Sequence, residues 1–153
     1  MYQTIMVPLD GSELAECVLP HVESLARQGG VKKVILSQVI KPLFPHPGYS
    51  VISENLTREI EGIHETAAKD YLRKIAGRLT LPAEIELEIR VLFGNVADTL
   101  VDFVNKSPVD LIVIATHGRS GVGRWVLGSV ADRLLHALTV PVLMIRAAGH
   151  DAH

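Results

Sequence analysis

The stretch with the clearest chemical character runs Ala115-Thr116-His117-Gly118-Arg119-Ser120-Gly121-Val122-Gly123-Arg124-Trp125-Val126-Leu127-Gly128-Ser129. It holds four glycines and two arginines but no acidic residue. Glycine lets a backbone approach an anion closely and take positive φ, so that several N–H groups point one way. Ser129 adds a hydroxyl at a predicted helix start, where unpaired N–H groups and the helix dipole favour a phosphate. The chemistry indicated is anion cradling, not bond making.

Two common phosphate fingerprints are absent. A P-loop ends in Gly-Lys-Ser/Thr, and this loop has no lysine. The dinucleotide pattern G-x-G-x-x-G belongs in the first strand–helix turn, which here reads Asp10-Gly11-Ser12-Glu13. Asp10 suits a turn or cap, and topology also aims it at the crevice where a ligand would lie. His117 reads as a residue that shapes its own turn by a local hydrogen bond. Arg119 and Arg124 are suited either to outer phosphates or to plain exposure. Trp125 is expected to pack on the protein or on a partner subunit.

The elements that must position these residues are five short apolar runs, separated mostly by helical patterns. The runs are Thr4 to Leu9, Val34 to Ile40, Ile85 to Leu92, Asp110 to Ala115 and Val140 to Ile145. Their shortness and β-branched content favour strands. From Ser12 to Gln28, Leu14, Val18, Val22 and Leu25 recur at helical spacing, and Gly29-Gly30 end the pattern. Leu56, Ile60, Ile63, Ala67, Tyr71, Ile75 and Leu79 predict a long inward-facing helix stopped before Pro82. Asn95 is expected to cap a helix bearing Val96, Leu100, Phe103 and Val104. Ser129 is expected to cap one bearing Val130, Leu134 and Leu138. Alternating strands and helices imply a mostly parallel sheet in an α/β fold.

The strands also indicate their places. Glu84, Glu86, Glu88 and Arg90 alternate with Ile85, Leu87, Ile89 and Val91, so the third strand has one wet face and suits an edge. The first and fourth are apolar on both faces, as central strands covered by helices are. The fifth is short, apolar and carries Pro141, again an edge. An uncharged edge invites pairing, which predicts a homodimer through Val140 to Ile145. Residues 41–50, with three prolines and a glycine, predict a loop suited to act as a flap.

Composition bounds the function. At 153 residues, with 48% hydrophobic and 21% charged, the chain suits one globular domain over 1–147 followed by a frayed tail at 148–153, which holds His150 and His153. A net charge of −2 argues against a general nucleic-acid binder. No apolar run approaches the roughly 20 residues that span a bilayer, and no leader pattern precedes the first strand. The expected location is the cytoplasm. Cys17 is the only cysteine, which excludes an intramolecular disulfide and a cysteine-based zinc site, and beside Val18 it reads as a small buried residue.

The chain resembles the universal stress proteins, in their ATP-binding branch. The likeness rests on Ile5-Met6-Val7-Pro8-Leu9-Asp10-Gly11-Ser12, on Ile35-Leu36-Ser37-Gln38-Val39, on the glycine loop and on Val140-Pro141-Val142-Leu143. The family motif Gly-x2-Gly-x9-Gly-Ser/Thr reads here Ala115-x2-Gly118-x9-Gly128-Ser129, so Ala115 departs from it. The resemblance implies an open, Rossmann-like five-stranded parallel sheet of order 3-2-1-4-5, with helices on both faces and a dimer through the fifth strand. It implies that Pro8 and Asp10 lie near ribose and adenine and that Val39 meets the base through its backbone. Ala115, Gly118, Arg119, Gly128, Ser129 and Val130 would then surround the phosphates. The implied ligand is ATP, ADP or AMP, with Mg2+ as an optional companion, in a stress-response switch or signalling module. Two other readings are a weak ATPase and a ligand-free dimeric interaction protein. A hydrolase needs a positioned base, metal-holding carboxylates and a water site. Asp10 is the one convincing carboxylate, so no catalytic residue is assigned and any ATP hydrolysis is expected to be slow or partner-dependent.

Overall fold

A computed structural model describes residues 1–42, 51–117 and 128–147. Five strands are β1 (Thr4–Leu9), β2 (Lys33–Ile40), β3 (Glu86–Phe93), β4 (Leu111–His117) and β5 (Val142–Ala147). Four α-helices are α1 (Leu19–Arg27), α2 (Val51–Arg78), α3 (Val96–Lys106) and α4 (Ser129–Ala137), and a 3-10 turn (Ala15–Val18) precedes α1. The strands form one sheet in the order β3-β2-β1-β4-β5, every pairing parallel. That is the order the resemblance implies.

Alternation along the strands splits the core into two layers. Ile5 and Val7 of β1, Leu36 of β2 and Val113 of β4 meet Val18, Leu19 and Val22 of the first turn and α1, together with Leu72 and Ile75 of α2. Met6, Ile35, Ile112 and Ile114 point the other way, onto Leu100 and Val104 of α3 and Leu134 of α4. β1 and β4 are therefore buried on both faces, as their unbroken apolar sequence requires. On β3, Leu87, Ile89 and Val91 face α2. On its other face Glu86 and Glu88 pair with Lys33, and Arg90 pairs with Glu88. These charges guard the β3 edge against a further strand.

Three helix expectations need correction. The pattern from Ser12 to Gln28 is not one helix but a 3-10 turn followed by α1. Pro20, in the first turn of α1, has no N–H and cannot carry an α-helical ladder back through the preceding residues. The tighter turn rotates Leu14 outward, where it is exposed. In α2 the buried positions are Ala68, Leu72 and Ile75, whereas Leu56, Ile63 and Ala67 are exposed. A helix of 28 residues is about 42 Å long, far beyond the roughly 26 Å of an eight-residue strand. Only the C-terminal half of α2 rests on the sheet. Finally, Gly128 and not Ser129 is the N-cap of α4, and it makes no side-chain cap bond. Asn95 caps α3 as expected, its Oδ1 accepting from Asp98 N at 3.2 Å.

The strand starts are locked by Asp110, just before β4. Its carboxylate accepts from Gln3 N at 2.9 Å and from Thr4 N at 3.2 Å, while Asp110 N donates to Thr4 O at 3.1 Å. Adjacent central strands are thus aligned at one end, which fixes where their other ends open. Residues 43–50 of the loop predicted over 41–50, and the tail 148–153, lie outside the described residues.

Candidate functional site at the open ends of β1 and β4

The order 3-2-1-4-5 places β1 at a reversal: the chain leaves it for β2 on one side, and β4 lies on the other. A crevice forms outside the carboxyl ends of strands at such a point. Here it is a cavity of about 250 Å³. One wall is the end of β1, with Pro8, Leu9 and Asp10. Another is the end of β4, with Ile114, Ala115 and Thr116. The third is the first turn of α4, with Gly128, Ser129, Val130 and Ala131, and Val96 and Leu100 of α3 supply an apolar side.

Each wall is shaped by its local sequence. After β1 the chain turns sharply through Gly11, whose φ of +85° is one that L side chains rarely adopt. Asp10 Oδ1 accepts from Ser12 N at 2.9 Å and from the Ser12 hydroxyl at 2.6 Å. Ser12 Oγ in turn accepts from Ala15 N at 3.3 Å. One carboxylate oxygen of Asp10 therefore holds the turn, and Oδ2 has no hydrogen bond among the described residues. An ionised carboxylate is acceptor-only, so Oδ2 suits a hydroxyl donor and opposes an anion. Across the cavity, the first turn of α4 offers backbone N–H groups without intrahelical acceptors and the positive end of the helix dipole. The two walls thus differ in sign: one accepts a hydroxyl and the other receives a negative group.

A second cavity of about 390 Å³ opens on the α2 side of the sheet, lined by Gly11, Gln38, Val39, Ile40, His64, Ala67, Ala68 and Tyr71. Tyr71 is half-buried and its hydroxyl donates to Glu16 Oε1 at 3.4 Å. Burial, followed by the negative charge of Glu16 and Asp10, pushes the Tyr71 phenol well above the ordinary tyrosine range. Asp10 lines the first cavity and Gly11 the second, so one turn divides them.

Of the residues singled out in the sequence, Pro8, Asp10, Ala115, Gly128, Ser129 and Val130 share the first cavity, and Val39 lines the second. Gly118, Arg119, Arg124 and Trp125 lie outside the described residues. Thr116, Gly11, Gln38, His64 and Tyr71 were not expected as lining. The available signal was the pair Ser37-Gln38, polar residues that interrupt an otherwise apolar central strand.

The sequence profile of the universal stress protein family matches residues 1–146. The chain belongs to the universal stress protein family. Universal stress protein MJ0531 of Methanocaldococcus jannaschii is 27% identical over 95% of this chain and 83% of its own. Among solved structures, MJ0577 superposes with a TM-score of 0.76 at 24% identity, covering 97% of this chain and 99% of that one. A universal stress protein in complex with cAMP gives 0.62 at 21% identity, covering 96% and 98%. A family protein from Arabidopsis thaliana with AMP bound gives 0.56 at 16% identity, covering 99% and 96%. At these identities the structural likeness is one of fold. Among the described residues, no helix is long and apolar enough to cross a membrane.

Proposed function

We propose that this universal stress protein binds an adenine nucleotide across the Asp10 turn and works as a regulatory module whose surface reports nucleotide occupancy. The observation that carries this reading is the polarity of the first cavity, lined at one end by Asp10, whose Oδ2 has no hydrogen bond among the described residues, and at another by the N-terminus of α4. A ribose hydroxyl would donate to Asp10 Oδ2, and a phosphate would take the N–H groups of Ser129, Val130 and Ala131. Ala115 and Pro8 would form the floor. The glycines and arginines of 118–127, Gly118 and Arg119 among them, are residue types that would suit phosphates, although they lie outside the described residues. The family members with cAMP and with AMP support the same ligand class.

ATP, ADP and AMP all fit this chemistry. Among the described residues Asp10 is the only carboxylate lining the first cavity, and no cluster of three or more His, Cys, Asp or Glu could hold a metal. A Mg2+ ion would therefore arrive on the nucleotide's phosphates, not in a protein cage. The same shortage of carboxylates favours binding over hydrolysis. The working form is a homodimer through β5, in the cytoplasm.

The test is thermal unfolding with and without ATP, ADP and AMP. A ligand at 100 times its Kd adds about 2.7 kcal/mol to the native state, a shift of several degrees. Asp10→Ala should reduce that shift for every nucleotide. If none of the three moves the midpoint of the wild-type protein, the proposal fails.

A further inference from the structure

The N-terminal half of α2 carries an apolar stripe that the sheet does not cover. Leu56, Ile60, Ile63 and Ala67 recur at spacings of four, three and four residues, the heptad rhythm of a helix–helix seam. Apart from Met1, Ile63 and Leu56 are the most exposed large apolar side chains among the described residues. The stripe is not the packed face carried onward. At about 100° per residue, it lies roughly a third of a turn around the helix from the buried Ala68, Leu72 and Ile75. The packed face itself continues through Glu65, Glu61, Thr57 and Glu54, all polar. The sequence thus turns polar where α2 runs off the sheet and places its apolar residues on a different side, as a helix does that meets a second surface. Charge is concentrated here too. Residues 54–65 hold Glu54, Glu59, Glu61 and Glu65 against Arg58 alone, a net −3 where the whole chain carries −2. Glu65 pairs with Lys69, but Glu54, Glu59 and Glu61 make no ion pair among the described residues. Glu59 borders the stripe directly, three residues after Leu56 and four before Ile63.

We propose that this half of α2 is a docking surface for a basic amphipathic helix of a partner protein. Apolar residues of the partner, at the same heptad spacing, pack between Leu56, Ile60, Ile63 and Ala67. Its lysines or arginines flank that seam and meet Glu59 and the acidic field of 54–65. From Leu56 to Ala67 the stripe is about 17 Å long, which three turns of a partner helix cover. Charge decides between occupants. An anionic lipid surface attracts basic amphipathic faces and repels this acidic one. A second copy of α2 laid on the stripe would set one acidic half against another. A basic helix meets both demands, burying the apolar seam and offsetting the unpaired carboxylates.

The experiment is fluorescence anisotropy with a labelled synthetic peptide of about 20 residues, leucine and alanine at the seam positions of a heptad and lysine elsewhere. Two control peptides carry the same residues in scrambled order, or glutamate in place of every lysine. The wild type should bind the patterned lysine peptide about tenfold or more tightly than either control. Ile63→Ser and Glu59→Lys should each weaken that binding about five- to tenfold. Leu135→Ser, which removes an exposed apolar side chain from α4, should leave it unchanged. Equal affinity for the patterned and scrambled peptides, or an equal loss in Leu135→Ser, marks a general attraction of cationic chains and overturns the proposal. Tighter binding of the glutamate peptide, or binding of none of the three, overturns it as well. So do two outcomes that give the stripe another occupant. A mass by light scattering that falls in Ile63→Ser assigns it to a second copy. A melting temperature that falls in Ile63→Ser as far as in Leu72→Ala shows that the chain covers Ile63 itself. Glu59→Lys, at an exposed position, decides the matter if Ile63→Ser does not fold.

Discussion

The hydroxyl of Tyr71 reaches Oε1 of Glu16 across 3.4 Å, joining the middle of α2 to the 3-10 turn that follows β1. Oε2 of the same carboxylate lies 2.8 Å from Nη1 of Arg78, one helical stretch further on. The dividing turn between the two cavities is thus held from behind by α2. Burial and the nearby carboxylates raise the Tyr71 pKa above that of the unfolded chain, which sets the sign of a pH effect. The folded state keeps the proton while the unfolded state loses it, so this contribution is intact below the ordinary tyrosine value of about 10 and fades as pH climbs above it. Urea midpoints should therefore fall more steeply from about pH 9 to about pH 11 in the wild type than in Tyr71→Phe. Parallel pH profiles for the two proteins would count against the buried phenol.

The two halves of α2 should respond differently to truncation. Leu72 is fully buried against the sheet, and its replacement by alanine leaves a cavity that costs about 2–5 kcal/mol. Ile63, two and a half turns earlier, is 61% exposed, so Ile63→Ala should change stability by no more than about 0.5 kcal/mol. Denaturant titration of the two variants separates a helix that rests on the sheet along half its length from one that is packed throughout. Equal losses would show that Ile63 is covered in solution.

This contrast also marks where the sequence was legible. Strand order and core could be read because β1 from Ile5 to Leu9 and β4 from Leu111 to Ala115 are apolar without a break while β3 alternates with charge, and burial on two faces or one leaves that imprint directly. The inward face of α2 could not be read. Leu56, Ile60 and Ile63 keep helical spacing beyond the point where the sheet ends, and periodicity carries no record of what lies opposite. The Ser12 to Gln28 segment misled for a local reason, since spacing does not distinguish a 3-10 turn before Pro20 from the first turn of an α-helix. In the site, Asp10, Ala115 and the residues from Gly128 to Val130 were legible because strand ends and a helix start must meet at the reversal of strand order. The second cavity was not. It joins Gln38 to His64 and Tyr71, and that contact depends on how far α2 runs past β2.

Ala115 is the place where this chain departs from the family's glycine, and it offers a direct probe of the first cavity. It is half-buried near the end of β4, paired in register with Ile145, packed against the core layer of Ile5 and Val7, and among the residues that line the cavity. Ala115→Leu adds three carbons at that position and should weaken ATP binding at least tenfold, with a loss of about 1–3 kcal/mol in the unliganded protein from overpacking. Ala115→Gly should retain binding, at a cost of about 0.5–1 kcal/mol in stability from a glycine within a strand. Titration of ATP into the two variants checks this directly. An Ala115→Leu protein that binds ATP as the wild type does would place the ligand elsewhere.

The last prediction concerns β5, which pairs with β4 on one side and with no other strand among the described residues. Its apolar residues, Val142 to Ile145, are only half-buried in the protomer, and Arg146 is its one charged residue where β3 carries Glu86, Glu88 and Arg90. An apolar edge of this kind exposes backbone donors and acceptors together with hydrophobic surface, and a second copy of the same strand satisfies both. Light scattering on size-exclusion fractions should therefore give twice the protomer mass for the wild type. Met144→Lys adds a charge to β5, where Met144 also packs on the α3–α4 core layer, and should yield a monomer less stable than the wild type. A wild type that elutes as a monomer at micromolar concentration, or a Met144→Lys protein that stays dimeric, would move the interface away from β5.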